Sequence, residues 1–287
     1  MHSYVQIQHS RNGDEVQQLQ ADFRDPSCAE PVVYSGRDTA DAIARRLEQY
    51  GFVVVSVEEP GPPNTQMAAL TATLGVGDPY VPALYRYADT AVYSAPYSHI
   101  RSNPHDQHPG FSTMAGQDWH VDGLLDEIGT IKTTVLYCVC AAQRGGESLL
   151  FNSVSAFAEL CEQDPIAAEA LLSPDVLTRS STISAIDRSA TGPVFSIDSD
   201  GNYSARYTDN DTCTWNFSAV QAGALRRALD FLRAATDNPR YQRAVLLEAG
   251  QALIFRNDRL SHSRRAYEDS PDARRHLVRA LYATAPA

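Results

Sequence analysis

Two short segments of the chain carry side chains that could bind one metal ion. The first, residues 116–123 (GQDWHVDG), contains His120 and Asp122 two positions apart. In an extended strand, residues i and i+2 point to the same side, so an imidazole and a carboxylate can reach one ion. An H-x-D pair is weak evidence by itself, because such pairs arise by chance and more often make a surface hydrogen bond.

The second segment, residues 250–264 (GQALIFRNDRLSHSR), reads as a buried strand that runs into a turn and delivers His262. Two histidines and one carboxylate on one side of an ion form the facial triad of non-haem Fe(II) oxygenases. The open side leaves three coordination positions for a co-substrate and O2. We therefore expect an iron centre at His120, Asp122 and His262, and these three residues are the candidate catalytic and metal-binding set.

The elements that must position these residues are mostly short strands separated by turns. Apolar spacing predicts helices over 37–50, 65–74, 153–163 and 166–172. A further helix is expected after a capping box formed by Ser218 and Gln221. Strands are predicted over 52–57, 131–141, 147–152, 194–197, 203–207, 245–248, 252–256 and 276–283. This pattern favours a mainly β fold, a barrel or jelly roll, with flanking helices.

The chain of 287 residues is consistent with a single domain, 1–287, and contains no internal repeat. Its first 30 residues are polar and irregular, which predicts an N-terminal arm on the surface. Residues 79–116 are rich in Pro, Ser, Tyr, His and Asn, as expected of an active-site loop. Residues 176–217 alternate short strand-like runs with polar turns, and we interpret them as an insertion on the substrate side.

The composition narrows the classes of partner. A net charge of −11 argues against nucleic acid or an anionic membrane surface and tolerates a cationic or zwitterionic small molecule. No apolar stretch approaches the roughly 18 residues needed to cross a bilayer, and the N-terminus does not resemble a secretory signal. Five cysteines without CxxC spacing predict reduced thiols and a cytoplasmic location. The sequence leaves the oligomeric state open.

Further motifs, in order and spacing, resemble the TauD/TfdA-type, or clavaminate-synthase-like, branch of the Fe(II)/2-oxoglutarate dioxygenases. That pattern is H-x-D, a Gly-Gly-acidic-Thr turn, a distal N-x-R-x-x-H-x-R segment and a downstream Arg. The matching segments here are 120–122 (HVD), 145–148 (GGES), 257–264 (NDRLSHSR) and 274–279 (RRHLVR). The resemblance implies a double-stranded β-helix core, of the cupin-like jelly-roll kind, with Fe(II), 2-oxoglutarate and O2 as cofactor and co-substrates.

The resemblance also assigns residues to 2-oxoglutarate. Arg275 would grip the distal carboxylate in a bidentate fork, with Arg279 as the second candidate and Arg274 as the third. Ser148 stands where the family commonly has Thr and would donate its hydroxyl to the same carboxylate. Retention of Asp122 favours hydroxylation, because family halogenases replace this carboxylate with a small residue.

The expected reaction is hydroxylation of an unactivated C–H bond in a small polar metabolite, such as a free amino acid or related amine of specialised metabolism. The same site could instead perform desaturation, epimerisation or cyclisation of a natural-product intermediate. A non-catalytic, cupin-like binding protein is the alternative from another class. Absence of bound metal and of 2-oxoglutarate decarboxylation would favour it.

Four residues are weaker candidates for substrate contact. Asp126 and Glu127 could bind an amine or guanidinium, or could belong to an exposed turn. Trp215 and Asn216 suit a small polar ligand, although plain packing of the tryptophan accounts for it equally well. Thr212, Thr214, Tyr93 and Tyr97 are similar candidates.

Two other clusters have less specific interpretations. His99, His105 and His108 could form a rival metal site, but a solvated or substrate-contacting loop is favoured because no regular element fixes them. Cys138 and Cys140 face the same way on a predicted strand, where apolar packing is favoured over metal ligation.

Overall fold

The computed structural model describes residues 20–59, 61–87, 95–103, 109–181, 183 and 186–286. The α-helices of these ranges are α1 (Ala40–Tyr50), α2 (Pro63–Thr73), α3 (Pro109–Ser112), α4 (Ser153–Gln163), α5 (Pro165–Ala170) and α6 (Ala222–Thr236). Short 3-10 turns span Pro26–Ala29, Gly36–Thr39 and Ala83–Tyr87.

The strands are β1 (Val32–Tyr34), β2 (Phe52–Val57), β3 (Ser98–Ile100), β4 (Gln117–His120), β5 (Thr133–Cys140), β6 (Arg144–Gly145), β7 (Ser148–Phe151), β8 (Leu177–Ser180), β9 (Ser189–Gly192), β10 (Phe195–Ile197), β11 (Tyr203–Ala205), β12 (Cys213–Trp215), β13 (Gln242–Val245), β14 (Gln251–Arg256), β15 (Ser261–Arg264), β16 (Tyr267–Glu268) and β17 (His276–Tyr282). They form a mainly β fold in which helices flank the sheets.

The larger sheet has six strands in the order β1-β2-β14-β5-β17-β3. Its central strands are apolar on both faces because each face meets another layer. Val53 and Ile254 point toward α1 and α2, where they pack with Ile43 and Met67. The alternate residues of the same strands, such as Phe52 and Leu253, point toward the second sheet.

The smaller sheet has four strands in the order β13-β7-β15-β4. Leu150 of β7 and Val245 of β13 share a buried core with Leu136 and Leu253 of the larger sheet. The two sheets therefore pack face to face, as in a double-stranded β-helix, which confirms the fold class expected from the sequence. Strands β7 and β15 bring the segments around Ser148 and His262 into this sandwich.

The insertion between α5 and α6 forms its own small sheets. Strand β8 pairs with β9 and β12, and β10 pairs with β11. These strands lie over a third core in which Phe157 of α4 stacks on Phe195 of β10, with ring centroids 4.1 Å apart. This core holds the insertion against the smaller sheet.

Most predicted elements are present, with shifted ends. The strand over 52–57 and the helix over 153–163 have the predicted bounds, and the helix expected from residue 37 begins as a 3-10 turn before α1. The predicted capping box of Ser218 and Gln221 was wrong. Both the backbone N–H and the hydroxyl of Ser218 donate to Asn216 Oδ1 instead. Helix α6 instead begins after Gln221, whose side chain makes no capping hydrogen bond.

The strand predicted over 245–248 lies at Gln242–Val245 instead. Its position is fixed by antiparallel pairing with β7, in which Val245 faces Ser148. Leu246, which the prediction placed inside a strand, is 56% exposed. Pairing with a distant strand, rather than the local apolar pattern, determines where β13 begins and ends.

The part of the predicted N-terminal arm that the structure describes packs closely against the domain. Phe23 is buried, its ring meets Phe52 edge-on at 5.2 Å, and its backbone N–H donates to Arg240 O. None of the described helices is long and apolar enough to span a bilayer.

Candidate active site

A cavity of about 320 Å³ opens between the two sheets. Its apolar wall includes Leu84, Tyr85, Ile100, Phe111 and Leu136. Its polar lining includes His120, Asp122, Ser148, Arg179, Thr208, Asn210, Thr212, His262, Arg264, Arg275 and Arg279. A largely apolar pocket with a few convergent polar groups is typical of a small-molecule site.

Strand register brings the two histidines together. His262 of β15 is directly opposite His120 of β4, and the two rings lie 4.2 Å apart between centroids. His262 also packs on the Phe255 ring at 4.9 Å. Directly opposed residues of an antiparallel pair project on the same face, so both imidazoles enter the cavity side by side.

Asp122 reaches the same point from outside a strand. Strand β4 ends at His120, so the expectation that both residues of the H-x-D pair belong to one extended strand holds only for the histidine. Asn257 positions the aspartate instead. Its Oδ1 accepts from Asp122 N at 2.8 Å, and its Nδ2 donates to Ile131 O at 3.0 Å. The asparagine of the distal motif thus fixes the backbone of the carboxylate residue.

His120, Asp122 and His262 offer ligand atoms that all lie within 4.8 Å of one another. His120 Nδ1 donates to Asp118 O at 2.8 Å, since a carbonyl can only accept. This contact sets the tautomer and leaves Nε2 unprotonated. His262 Nε2 lies 3.8 Å from Asp122 Oδ2.

Electrostatics keep these groups in the forms that bind metals. Burial lowers the pKa of both histidines, that of His262 to about 3, so both imidazoles are neutral at neutral pH. Burial alone raises the pKa of Asp122, but the charge of Arg279 and the hydrogen bond from Thr134 oppose this effect, and the pKa is lowered to about 2. Two neutral imidazoles and one carboxylate suit ferrous iron.

Arg279 and Thr134 orient the Asp122 carboxylate. Arg279 Nη1 donates to Oδ1 at 2.5 Å, and Thr134 Oγ1 donates to Oδ2 at 2.9 Å. Arg279 Nη2 also donates to Tyr85 Oη at 2.9 Å. The guanidinium of Arg279 is therefore largely committed to Asp122 and Tyr85.

Arg275 is buried and lines the cavity together with Ser148. Its Nη2 makes only a long hydrogen bond to Gly146 O at 3.4 Å, and among the described residues Nη1 has no partner. Gly146 has φ of 81°, and a Cβ there would come within 2.9 Å of Arg275 Nε. The Gly-Gly turn therefore leaves room for this guanidinium as well as supplying the turn conformation.

Two further buried arginines line the cavity. Arg264, the last residue of the distal motif, donates to the carbonyls of Gly110, Thr113 and Ala115, at 3.3, 3.0 and 2.6 Å. Arg179, in β8, was not singled out from the sequence. It lies in a short polar strand that contains no recognisable motif. Only its burial beside the cavity, which the sequence does not show, identifies it as a candidate site residue.

The four weaker substrate candidates do not line this cavity. Asp126 is buried, and its carboxylate accepts hydrogen bonds from Tyr80 Oη at 2.6 Å and from Ala83 N. Glu127 is exposed, Trp215 packs against the helical core, and Asn216 accepts from Ser218. The contacts of Asp126, Trp215 and Asn216 are thus with other parts of the chain. Thr212 of the same insertion does line the cavity.

The other histidines and cysteines considered from the sequence do not form a second metal site among the described residues. His99 Nδ1 lies 2.9 Å from His276 Nε2, which joins β3 to β17, whereas His105, His108 and Tyr93 lie outside the described residues. Tyr97 packs against the core beneath α1 and α2. Cys138 is fully buried in the core between the sheets. Among the described residues, the only group of three or more potential metal ligands is His120, Asp122 and His262.

Comparison with known proteins agrees with this geometry. The family model described as taurine catabolism dioxygenase TauD, TfdA family, matches residues 15–281. The chain belongs to the TauD/TfdA dioxygenase family. It is accordingly an enzyme of the Fe(II)/2-oxoglutarate oxygenases, which use Fe(II), 2-oxoglutarate and O2, and the resemblance inferred from the motifs is confirmed.

Two relatives of this TauD/TfdA enzyme carry the same name, uridine-5'-phosphate dioxygenase. The protein from Amycolatopsis sp is 65% identical over 271 residues, which cover 94% of this chain and 98% of that protein. The protein from Streptomyces sp is 43% identical over 251 residues, covering 86% of this chain and 90% of that protein.

A solved structure with the same fold is asparagine oxygenase in complex with Fe(II), 2S,3S-3-hydroxyasparagine and succinate. It superposes with a TM-score of 0.62 at 18% identity and covers 86% of this chain and 78% of that chain. At this identity the similarity supports the fold of the TauD/TfdA enzyme and not its substrate.

Proposed function

We propose that this enzyme is a dioxygenase of uridine-5'-phosphate or a closely related nucleoside monophosphate. The observation that carries the proposal is the 65% identity, over 94% of the chain, to a protein named uridine-5'-phosphate dioxygenase. The substrate class that we propose is therefore a nucleotide, and not the amino acid or amine expected from the sequence.

The charged side chains of the cavity, four arginines and the carboxylates of Asp118, Asp122 and Asp211, favour an anionic substrate by their balance. Four of the described buried arginines line it, namely Arg179, Arg264, Arg275 and Arg279. Of these four arginines, only Arg279 forms an ion pair with a carboxylate of the described residues, that of Asp122. Buried cations that lack a protein partner favour anionic ligands, because unpaired burial of charge is costly. The acidic net charge of the chain therefore does not describe its cavity.

In this proposal His120, Asp122 and His262 hold the iron, and Arg275 with Ser148 holds the distal carboxylate of 2-oxoglutarate. When bound, ferrous iron supplies the activation of O2 that couples oxidative decarboxylation of 2-oxoglutarate to oxidation of a substrate C–H bond. Overall, C–H, 2-oxoglutarate and O2 yield C–OH, succinate and CO2. Hydroxylation is the outcome we propose. Retention of Asp122 favours it over halogenation, whereas desaturation, epimerisation or cyclisation would use the same iron ligands and are the alternatives.

The remaining side chains prepare the site. Asp118 O orients the His120 ring, Asn257 fixes the backbone of Asp122, and Arg279 keeps its carboxylate charged. The apolar wall formed by Leu84, Phe111 and their neighbours excludes water, which strengthens the polar contacts inside the cavity.

Succinate formation tests the substrate class. We expect uridine-5'-phosphate to stimulate succinate release well above the substrate-free rate, and free amino acids and amines to have no such effect. The mass of the nucleotide product distinguishes oxygen insertion from loss of two hydrogens. Stimulation by an amino acid and by none of the nucleotides would reverse the proposal.

Alanine variants test the iron site. His120→Ala or Asp122→Ala should abolish nucleotide-stimulated turnover and weaken Fe(II) binding in an anaerobic titration. His276→Ala and Asp272→Ala, outside the site, are the matched controls. Undiminished 2-oxoglutarate turnover in the His120 or Asp122 variant would exclude these residues as iron ligands.

A further inference from the structure

Arg179 is a buried cation whose hydrogen-bonding capacity is largely unused. Its side chain is 1% exposed and lies in β8 at the cavity. Nη2 donates to Gly123 O at 2.7 Å, and Nη1 reaches Thr208 Oγ1 only at 3.5 Å. Nε has no partner, and no carboxylate forms an ion pair with this guanidinium within the described ranges.

Such burial disfavours the charged form but does not remove it. Desolvation, and then the nearby charge of Arg206, lower the pKa of Arg179 to about 9, so the side chain is still a cation at neutral pH. The cost of burying an unpaired charge falls when an anion binds beside it. The direct contacts of Arg179 are neutral oxygens. The charge of Asp126 also acts on it, but that carboxylate accepts hydrogen bonds from Tyr80 and Ala83 instead, so a ligand is the available source of a directly bound anion.

The other arginines of the cavity have different commitments. Arg279 pairs with Asp122, and Arg264 caps backbone carbonyls. Arg275 lies beside Ser148, where 2-oxoglutarate is proposed to place its distal carboxylate. Arg179 is thus left for a second anion, and in a reaction of 2-oxoglutarate with a nucleotide that anion is the phosphate.

The surroundings of Arg179 also suit a phosphate. The guanidinium contacts the carbonyl of Gly123, the residue that follows Asp122, and lines the same cavity as the candidate iron ligands. Asn210 also lines the cavity. Its Oδ1 accepts from both the N–H and the hydroxyl of Thr212, which leaves its amide N–H groups free to donate to a ligand.

We propose that Arg179 binds the 5'-phosphate of the substrate, with the Asn210 amide as a second donor. This assignment rests on the proposed function, namely that the substrate is a nucleoside monophosphate. It makes Arg179 the residue that distinguishes a nucleotide from its nucleoside. Arginine matches phosphate oxygens with two parallel donors, which a lysine at the same position could not supply.

Anaerobic calorimetry with Fe(II) and 2-oxoglutarate present tests this role without turnover. Wild-type enzyme should bind uridine-5'-phosphate about 100-fold more tightly than uridine, as expected for charge-assisted hydrogen bonds. Arg179→Met should reduce that ratio to within a few-fold of unity, by weakening nucleotide binding and leaving uridine binding unchanged. Arg179→Lys should keep part of the preference, because it retains the charge but not the fork.

Arg206→Met is the matched control, since Arg206 is also a buried arginine of the insertion but does not line the cavity. It should retain the wild-type ratio. Thermal unfolding without ligand checks folding, and Arg179→Met should be at least as stable as wild type because it removes an unpaired buried charge. Should Arg179→Met fail to fold, Arg179→Lys carries the test: an unchanged ratio overturns the proposal, and a reduced one supports it.

The possible failures are distinguishable. Wild-type preference for the nucleotide that persists in the Arg179 variants overturns the phosphate role but leaves the proposed function standing. Equal wild-type binding of nucleotide and nucleoside also overturns it. If uridine-5'-phosphate neither binds nor stimulates succinate formation by the wild-type enzyme, the proposed function itself fails.

Discussion

At the scale of single residues, the cavity is organised by which buried charges have partners. Asp122 has Arg279 and Thr134, so its carboxylate is both charged and oriented. Arg275 and Arg179 have only weak or neutral contacts. The paired residues shape the metal site. The guanidinium groups of Arg275 and Arg179, which have no carboxylate partner, are the ones we assign to 2-oxoglutarate and to the substrate phosphate.

The assignment of Arg275 to 2-oxoglutarate predicts a selective loss. Arg275→Met should raise the KM for 2-oxoglutarate about 10- to 100-fold, the usual value of a lost charge-assisted hydrogen bond. Ser148→Ala should have a smaller effect in the same direction. Initial rates of succinate formation at saturating nucleotide measure both changes.

Arg274→Met is the control for that experiment, because Arg274 is the exposed neighbour and was the third candidate for the same role. Its KM for 2-oxoglutarate should match that of the wild type. A larger effect at Arg274 than at Arg275 would contradict the assignment.

At the scale of elements, strand register and one buried side chain hold the walls of the cavity. Opposition of His262 and His120 depends on the pairing of β15 with β4. Arg264, on the same strand, ties residues 110–115 to the sheet through three carbonyls. This guanidinium supplies three of the hydrogen bonds that hold the segment containing α3. Gln117 Nε2, which donates to Gly110 O, and the backbone N–H of Tyr267, which donates to Met114 O, supply others.

Removing this anchor should loosen the segment locally. Arg264→Met is expected to increase amide hydrogen exchange of residues 110–116 by about 10- to 100-fold, since hydrogen bonds to a charged group contribute roughly 1.5–3 kcal/mol. Exchange in β2 and β14 should stay unchanged. Mass spectrometry of peptides covering these regions provides the measurement.

The adjacent Arg265 offers a matched comparison, as it is exposed and makes only a surface ion pair with Glu147. Arg265→Met should leave exchange of residues 110–116 at the wild-type rate. Equal exchange in the Arg264 and Arg265 variants would show that the carbonyl contacts do not hold this segment.

At the scale of the whole molecule, three buried cores divide the structural tasks. One lies between the sheets, one joins the larger sheet to α1 and α2, and one supports the insertion that carries Arg179. In the third core, Phe157 and Phe195 are fully buried and stack in parallel. The insertion thus depends on a helix packed behind the smaller sheet.

Truncating this stack should cost stability. Phe157→Ala is expected to lower the free energy of unfolding by about 3–5 kcal/mol, because it removes a buried ring and leaves a cavity. Denaturant unfolding of the protein measures the difference. Ile166→Ala in α5 is the control, since Ile166 is 55% exposed and its loss should change the free energy by less than about 0.5 kcal/mol. Similar losses in the two variants would argue against this core as the support of the insertion.

Prediction from sequence succeeded where chemistry is encoded locally. The H-x-D pair, the Gly-Gly turn and the distal motif each specify donor types or a turn conformation within a few residues, and their family resemblance implied the cofactor requirement. The ends of β13 and the start of α6 were misplaced, because pairing with β7 and the contacts of Asn216 outweigh local pattern. Asp126 and Asn216 were chosen as polar groups near the site, but their contacts were not visible in the sequence.

The triad of His120, Asp122 and His262 and its iron and 2-oxoglutarate chemistry were therefore determined by the sequence itself. Only the tertiary structure decided the sign of the charge in the cavity. The chain as a whole is acidic, yet folding gathers Arg179, Arg264, Arg275 and Arg279 around one space. Whether a buried arginine has a carboxylate partner depends on strands distant in sequence, and this pairing, rather than composition, makes the cavity suited to an anionic substrate.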